Sequence, residues 1–175
     1  MSLAITPVVA WWREMCPPRD SGDRGDRAGI ARLRRCSAII QAMQTSETIA
    51  LFRRAGGRSE SDLRDAALVA AVLAHVRDDD PSVPVARRIG PESTDKPETA
   101  RMKPLRFQRL LDAATADERL TAFRRLVALA GHKLNVRDLA MSLSHWDDEQ
   151  RRTRWVYDYW NAGQPIAQNT EETSP

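Results

Sequence analysis

Arginines recur in close groups along stretches that read as helices: Arg34 with Arg35, Arg106 with Arg109, Arg124 with Arg125, and Arg151, Arg152 and Arg154 together. A guanidinium is planar, permanently charged and presents its N–H donors in a fork that matches a phosphate. Such groups can therefore hold a polyanion with no covalent chemistry at all. Of the 27 basic residues 24 are Arg and 3 are Lys; a high-GC genome gives the same bias, so the spacing carries more weight than the count. Around the third group Leu120, Phe123, Val127 and Ala130 share one face at helical spacing, which leaves Arg124 and Arg125 near the wetted boundary. Charge reversal at these two is expected to weaken retention of a polyanion and leave the fold intact. Any single group also reads as a solvated helix face with weak ion pairs. Four of them on helices that must pack together point to a shared basic surface.

Other chemistry is hard to find. There is no Gly-rich phosphate loop, no paired-His helix motif and no Cys-x-x-Cys, so the sequence gives no catalytic residue, metal site or cofactor site. His75, His132 and His145 are scattered and read as helix-end or packing residues. Cys16 and Cys36 are too few for a disulfide framework or a zinc site and read as reduced, structural thiols. The run Asp78 to Asp80 lacks the ligand alternation of a Ca²⁺ loop and reads as a solvated turn. Trp11, Trp12, Trp146, Trp155 and Trp160 stand beside leucines at helical spacing and read as packing anchors rather than base-stacking platforms. Contact with nucleic acid would then run through phosphates, salt-sensitive and indifferent to sequence.

The elements that must position these arginines are helical throughout, and no stretch shows sustained strand alternation. A first helix includes Val8 to Glu14 and is stopped by Pro17 and Pro18. A second begins near Asp26, with Ile30, Leu33, Ser37 and Ile40 as its packing stripe and Arg27 and Arg34 on another face. A short helix over Ala50 to Arg54 stops at Gly56 and Gly57. Ser59 with Asp62 then caps a helix running to Val76 that is apolar nearly all round and belongs at the centre of a bundle. Thr115 with Glu118 forms a capping box for a helix through Ala130, Asn135 with Asp138 caps the next, and a last helix extends to Trp160. Between the halves lies a stretch with Pro81, Pro84, Pro91 and Pro97, in which a short helix around 82–89 is possible. The fold class is thus all-α, as two small helical bundles: an amino-terminal domain over 1–80, a Pro-containing linker over 81–103, a carboxy-terminal bundle over 104–162 and a flexible tail over 163–175.

With 175 residues, 42% hydrophobic and 29% charged, the chain can bury a real core without disulfides and is neither disordered nor fibrous in composition. The net charge of +3 is unevenly spread: residues 1–60 carry 10 basic and 6 acidic groups, 61–100 carry 5 and 8, and 101–160 carry 12 and 8. Two basic halves thus flank an acidic middle. No apolar run approaches a bilayer span and Met1 to Trp12 lacks the basic start of a secretory signal, so a cytoplasmic location without membrane partners is expected.

From Trp11 to Trp160 the order of motifs resembles the CasB family, the small subunits of the type I-E CRISPR surveillance complex called Cascade. The resemblance rests on "DRAGIARLRR" (Asp26 to Arg35), "RFQRLL" (Arg106 to Leu111), "FRRLVAL" (Phe123 to Leu129), "LNVRDLA" (Leu134 to Ala140), Trp146 and "RRTRW" (Arg151 to Trp155). It implies a two-domain, all-helical, non-enzymatic scaffold without cofactor, present as two copies. In that family the subunit bridges the backbone and large subunits and steadies the R-loop of guide RNA and target DNA. Carried over by motif, the strand-contacting candidates are Arg34, Arg35, Arg106, Arg109, Arg124, Arg125, Arg151 and Arg152, with Arg27 as an addition. The alternative is a free-standing helix-turn-helix regulator, whose turn could only be "GHKLNVRD" (Gly131 to Asp138).

Overall fold

The computed structural model describes residues 3–164; the tail beyond Gln164 lies outside them. Ten α-helices follow one another in the described residues: α1 Ile5–Met15, α2 Arg27–Arg35, α3 Ile39–Met43, α4 Ser46–Arg54, α5 Glu60–Leu73, α6 Val85–Ile89, α7 Pro104–Leu111, α8 Ala116–Leu129, α9 Val136–Ser144 and α10 Glu149–Tyr159. The all-α class is the observed one. Two two-residue strands, β1 (Asp78–Asp79) and β2 (Lys133–Leu134), pair in parallel, Asp78 with Lys133 and Asp79 with Leu134. Neither is foreshadowed by alternation, since two residues are too short to show a period.

The caps form where their residues stand. Ser59 and Asp62 make a reciprocal capping box at α5, Thr115 and Glu118 another at α8, and Asn135 accepts from the Asp138 N–H at α9. α5 is buried from Ala66 to Leu73 and packs against α2, α3, α4, α8 and α9. One apolar core runs from Leu3 through Tyr159 and includes the connection between the halves, where Val85, Ala86, Ile89, Ala100 and Met102 are buried. Within the core Phe123, Trp146 and Trp155 meet edge to face, with Trp146 and Trp155 4.9 Å apart. Trp11, Trp12, Trp146 and Trp155 are buried in the core and Trp160 packs partly buried against it.

The second helix departs from its expected course. It stops at Arg35, Cys36 turns to extended backbone (φ −64°, ψ 121°), and α3 starts a new register. Ile39 is therefore buried and Ile40 stands 61% exposed, the reverse of the expected stripe. The cause is long-range. Arg124 on α8 donates to the Leu33 and Cys36 carbonyls, and the Asp117 carboxylate accepts the Ile39 N–H at 2.7 Å. Asp78 to Asp80 likewise form more than a solvated turn: Asp79 accepts the Val136 N–H at 3.0 Å, and Asp80 pairs with Arg88.

The end of α5 needs partners because its last carbonyls are buried where water cannot reach them. Arg124 donates to the Ala71 carbonyl, Trp12 Nε1 to Leu73 at 3.2 Å, and Arg34 Nε to Ala74 at 2.7 Å. His132 Nδ1 meets the His75 carbonyl at 2.8 Å, so that nitrogen carries the proton. Guanidinium groups also suit the negative end of a helix dipole.

Candidate nucleic-acid interface

Six of the nine arginines singled out by sequence fall into three situations. Arg27 and Arg34 line one cleft of about 540 Å³ between the end of α1, the following loop and α2, and Arg19 and Arg24 of that loop join them. Arg109 of α7 and Arg125 of α8 line a second cleft of about 460 Å³. Arg35 and Arg106 are exposed on α2 and α7. Among the described residues none of these forms an ion pair. The second cleft also holds Asp112 and Glu118, but Glu118 is occupied by the Ala114 and Thr115 N–H groups of its capping box.

The first cleft is held open by its loop. The Asp26 N–H bonds the Met15 carbonyl at 3.1 Å, Gly25 has φ +59°, and a Cβ there would collide with the Met15 carbonyl and the Pro17 ring. Asp23 turns inward to accept the Gly25 N–H at 3.0 Å, and Asp26 caps α2 through Gly29 N–H at 2.8 Å. Cys16 sits at the base with its thiol toward the Val76 carbonyl. Burial pushes that thiol up despite Arg34, which favours its protonated form. Arg19 and Arg24 were missed by looking for pairs on helices; their signal was arginine density in a Gly-containing loop. Gly25→Ala is expected to spread the loop while the melting temperature moves by only a few degrees. Hydrogen exchange at the loop amides reads the first and calorimetry the second.

Arg124 corrects an expectation. It is half-buried and already engaged: all three of its guanidinium nitrogens donate to the carbonyls of Leu33, Cys36 and Ala71, and burial lowers its pKa. Its neighbour Arg125 is exposed. Charge reversal at Arg124 therefore tests the fold and not DNA retention. The same clamp links α8 to the end of α2, the helix that carries Arg34 and Arg35. On α10, Arg151 lies 3.7 Å from Asp138, and Arg152 is half-buried with Nε sealed from water; this pair joins neither cleft. Arg154 pairs with Asp158 at 3.1 Å.

The helix-turn-helix alternative fails on geometry. α9, its recognition helix, buries Val136, Leu139, Ala140, Ser142 and Leu143 against α1 and α5, and of its nine residues Arg137 alone is exposed. Such a helix cannot enter a major groove. Among the described residues no group of His, Cys, Asp and Glu is arranged to hold a metal, and no helix is long and apolar enough to cross a membrane.

Fold and clefts together define a small, mostly helical protein with arginine-lined concavities. The sequence profile of the CRISPR-associated protein Cse2 matches residues 29–160. The chain belongs to that family, which is the one its motifs resemble. Its fold is similar to a chain in the crystal structure of E. coli Cascade bound to a PAM-containing dsDNA target with a 32-nt spacer. The TM-score is 0.63 at 17% sequence identity, over 93% of this chain and 99% of that one. Comparison with curated protein sequences finds no match.

Proposed function

We propose that this chain is a non-catalytic small subunit of a type I-E Cascade complex. It bridges the backbone and large subunits, stands beside a second copy of itself, and steadies the R-loop of guide RNA and target DNA by sequence-independent phosphate contacts. One observation carries the reading: two concave clefts gather Arg19, Arg24, Arg27 and Arg34, and Arg109 and Arg125, with none of them tied up in an ion pair among the described residues. A guanidinium without an ion pair in a concave wall can grip a phosphate at two points, the position of Arg19, Arg24, Arg27, Arg109 and Arg125, whereas Arg34 already gives its Nε to the Ala74 carbonyl. Energetically little is needed. A guide heteroduplex is about as stable as the DNA duplex it replaces, so modest backbone contacts tip the exchange.

The test is the lifetime of the R-loop on a complex reconstituted with Arg24→Glu/Arg27→Glu or with Arg109→Glu/Arg125→Glu, across a salt series. Removing one guanidinium from its phosphate is expected to reduce the slope of log affinity against log salt by about 0.7 to 0.9, and the lifetime at moderate salt is expected to fall tenfold or more. Unchanged lifetime and slope in both variants would remove the clefts from the interface.

A further inference from the structure

The broken helix described above leaves a groove whose chemistry is opposite to that of the arginine clefts. α3 and α5 form its floor, and the turns before α8 and α10 form its walls, enclosing about 540 Å³. Its floor is aliphatic: Ile39, Ile40, Met43 and Leu68. Ile40, at 61% exposed, is matched only by Leu105 as the most exposed large aliphatic side chain among the described residues, and water contact over that much hydrocarbon is unfavourable. Its charged lining is acidic on balance, with Asp65, Asp117 and Asp147 against Arg64 and Arg119, in a chain whose net charge is +3.

Those walls are fixed rather than fluid. Asp117 accepts the Ile39 N–H, while Arg119 forks onto Asp147 and donates through Nε to the Ala113 carbonyl at 3.0 Å. Asp65 is left on the floor. Burial raises its pKa, Asp62 and Asp147 add to that, and Arg119 and His145 offset only part. An incoming cation would therefore be stabilised beside Asp65, whereas a phosphate strand would be repelled.

We propose that this groove is a docking site for a segment of a neighbouring protein subunit that presents a bulky aliphatic side chain beside a Lys or Arg. The aliphatic group would cover Ile40 and Met43, and the cation would meet Asp65. This rests on the reading of the chain as a subunit of a larger assembly, and goes beyond it by assigning the surface and the chemistry of its partner.

The experiment uses the full chain with guide RNA and the remaining subunits. Ile40→Asp, Asp65→Lys and wild type are compared for occupancy in the complex by size exclusion, and a photo-crosslinking amino acid at position 40 captures the neighbour. Both substitutions are expected to lower occupancy tenfold or more, with Ile40→Asp leaving the melting curve of the isolated chain unchanged because the side chain is exposed. The crosslink is expected on a protein segment carrying an aliphatic and a basic residue, and reversing that basic charge should restore Asp65→Lys. Full occupancy of Ile40→Asp, or a crosslink to nucleic acid only, overturns this inference and leaves the subunit reading standing. Failure of wild type to enter the complex overturns both.

Discussion

Trp155→Ala is expected to cost about 4 kcal/mol of folding stability, as large-to-small changes of buried aromatics do, and to lower the melting temperature by about 10 °C in a chain of this size. The side chain is 1% exposed. Its ring is edge-on to both Phe123 (5.7 Å, 76°) and Trp146 (4.9 Å, 84°), so deletion unsupports two other aromatics as well as opening a cavity. Its Nε1 also donates to Ser142 Oγ at 2.8 Å, and that hydroxyl donates onward to the Asp138 carbonyl at 2.8 Å. Trp155→Phe keeps a ring in place and loses the hydrogen bond, and is expected to cost about half as much. Urea unfolding of the three proteins measures both values. A loss below about 1 kcal/mol for the alanine variant, smaller than most single core changes, would mean that the three rings do not support one another.

Arg124→Met is the second large effect, about 3 kcal/mol. The methionine fills much of the volume but leaves the Leu33, Cys36 and Ala71 carbonyls without a charged donor, and hydrogen bonds to charged groups contribute about 1.5 to 3 kcal/mol each before relaxation. Arg124→Lys is expected to recover only part, since one ammonium cannot reach donors in a planar fork. A second readout separates this role from simple packing. Burial first, then Arg124 and Arg34, pushes His75 down to about 4. The unfolded chain takes up that proton in the ordinary imidazole range and the fold does not until about pH 4. Stability is therefore complete above the ordinary range and falls as pH drops through the window between them. Without the charge of Arg124 the His75 pKa rises toward its unfolded value, so the variant should lose stability less steeply over that window. An equal slope in both proteins would show that Arg124 does not face His75 in solution.

What the sequence made legible is what its neighbours in the chain determine. The caps at Ser59, Thr115 and Asn135 are satisfied by groups three residues on, and each formed as read. The break after Arg35 could not be read that way, because the groups that impose it, Arg124 and Asp117, are about 80 to 90 residues distant. The same holds for Arg124 itself. Consecutive helical residues point about 100° apart, so one of Arg124 and Arg125 had to lie nearer the core, but only the carbonyls of α2 and α5 decide which. The first cleft was half visible: Arg27 and Arg34 were placed by helical spacing, whereas Arg19 and Arg24 reach it through a turn at Gly25. At α10, Arg151 and Arg152 matched a family motif, yet one lies beside Asp138 and the other is half-buried.

The ring of donors around the end of α5 bears on how the protein is made. A ribosome delivers α5 some fifty residues before it delivers Arg124 and His132, the groups that bond Ala71 and the His75 carbonyl. Until residue 132 has left the exit tunnel those two oxygens have only water to turn to. Translation can lay down the first five helices in order, but it cannot close the heart of the molecule one half at a time.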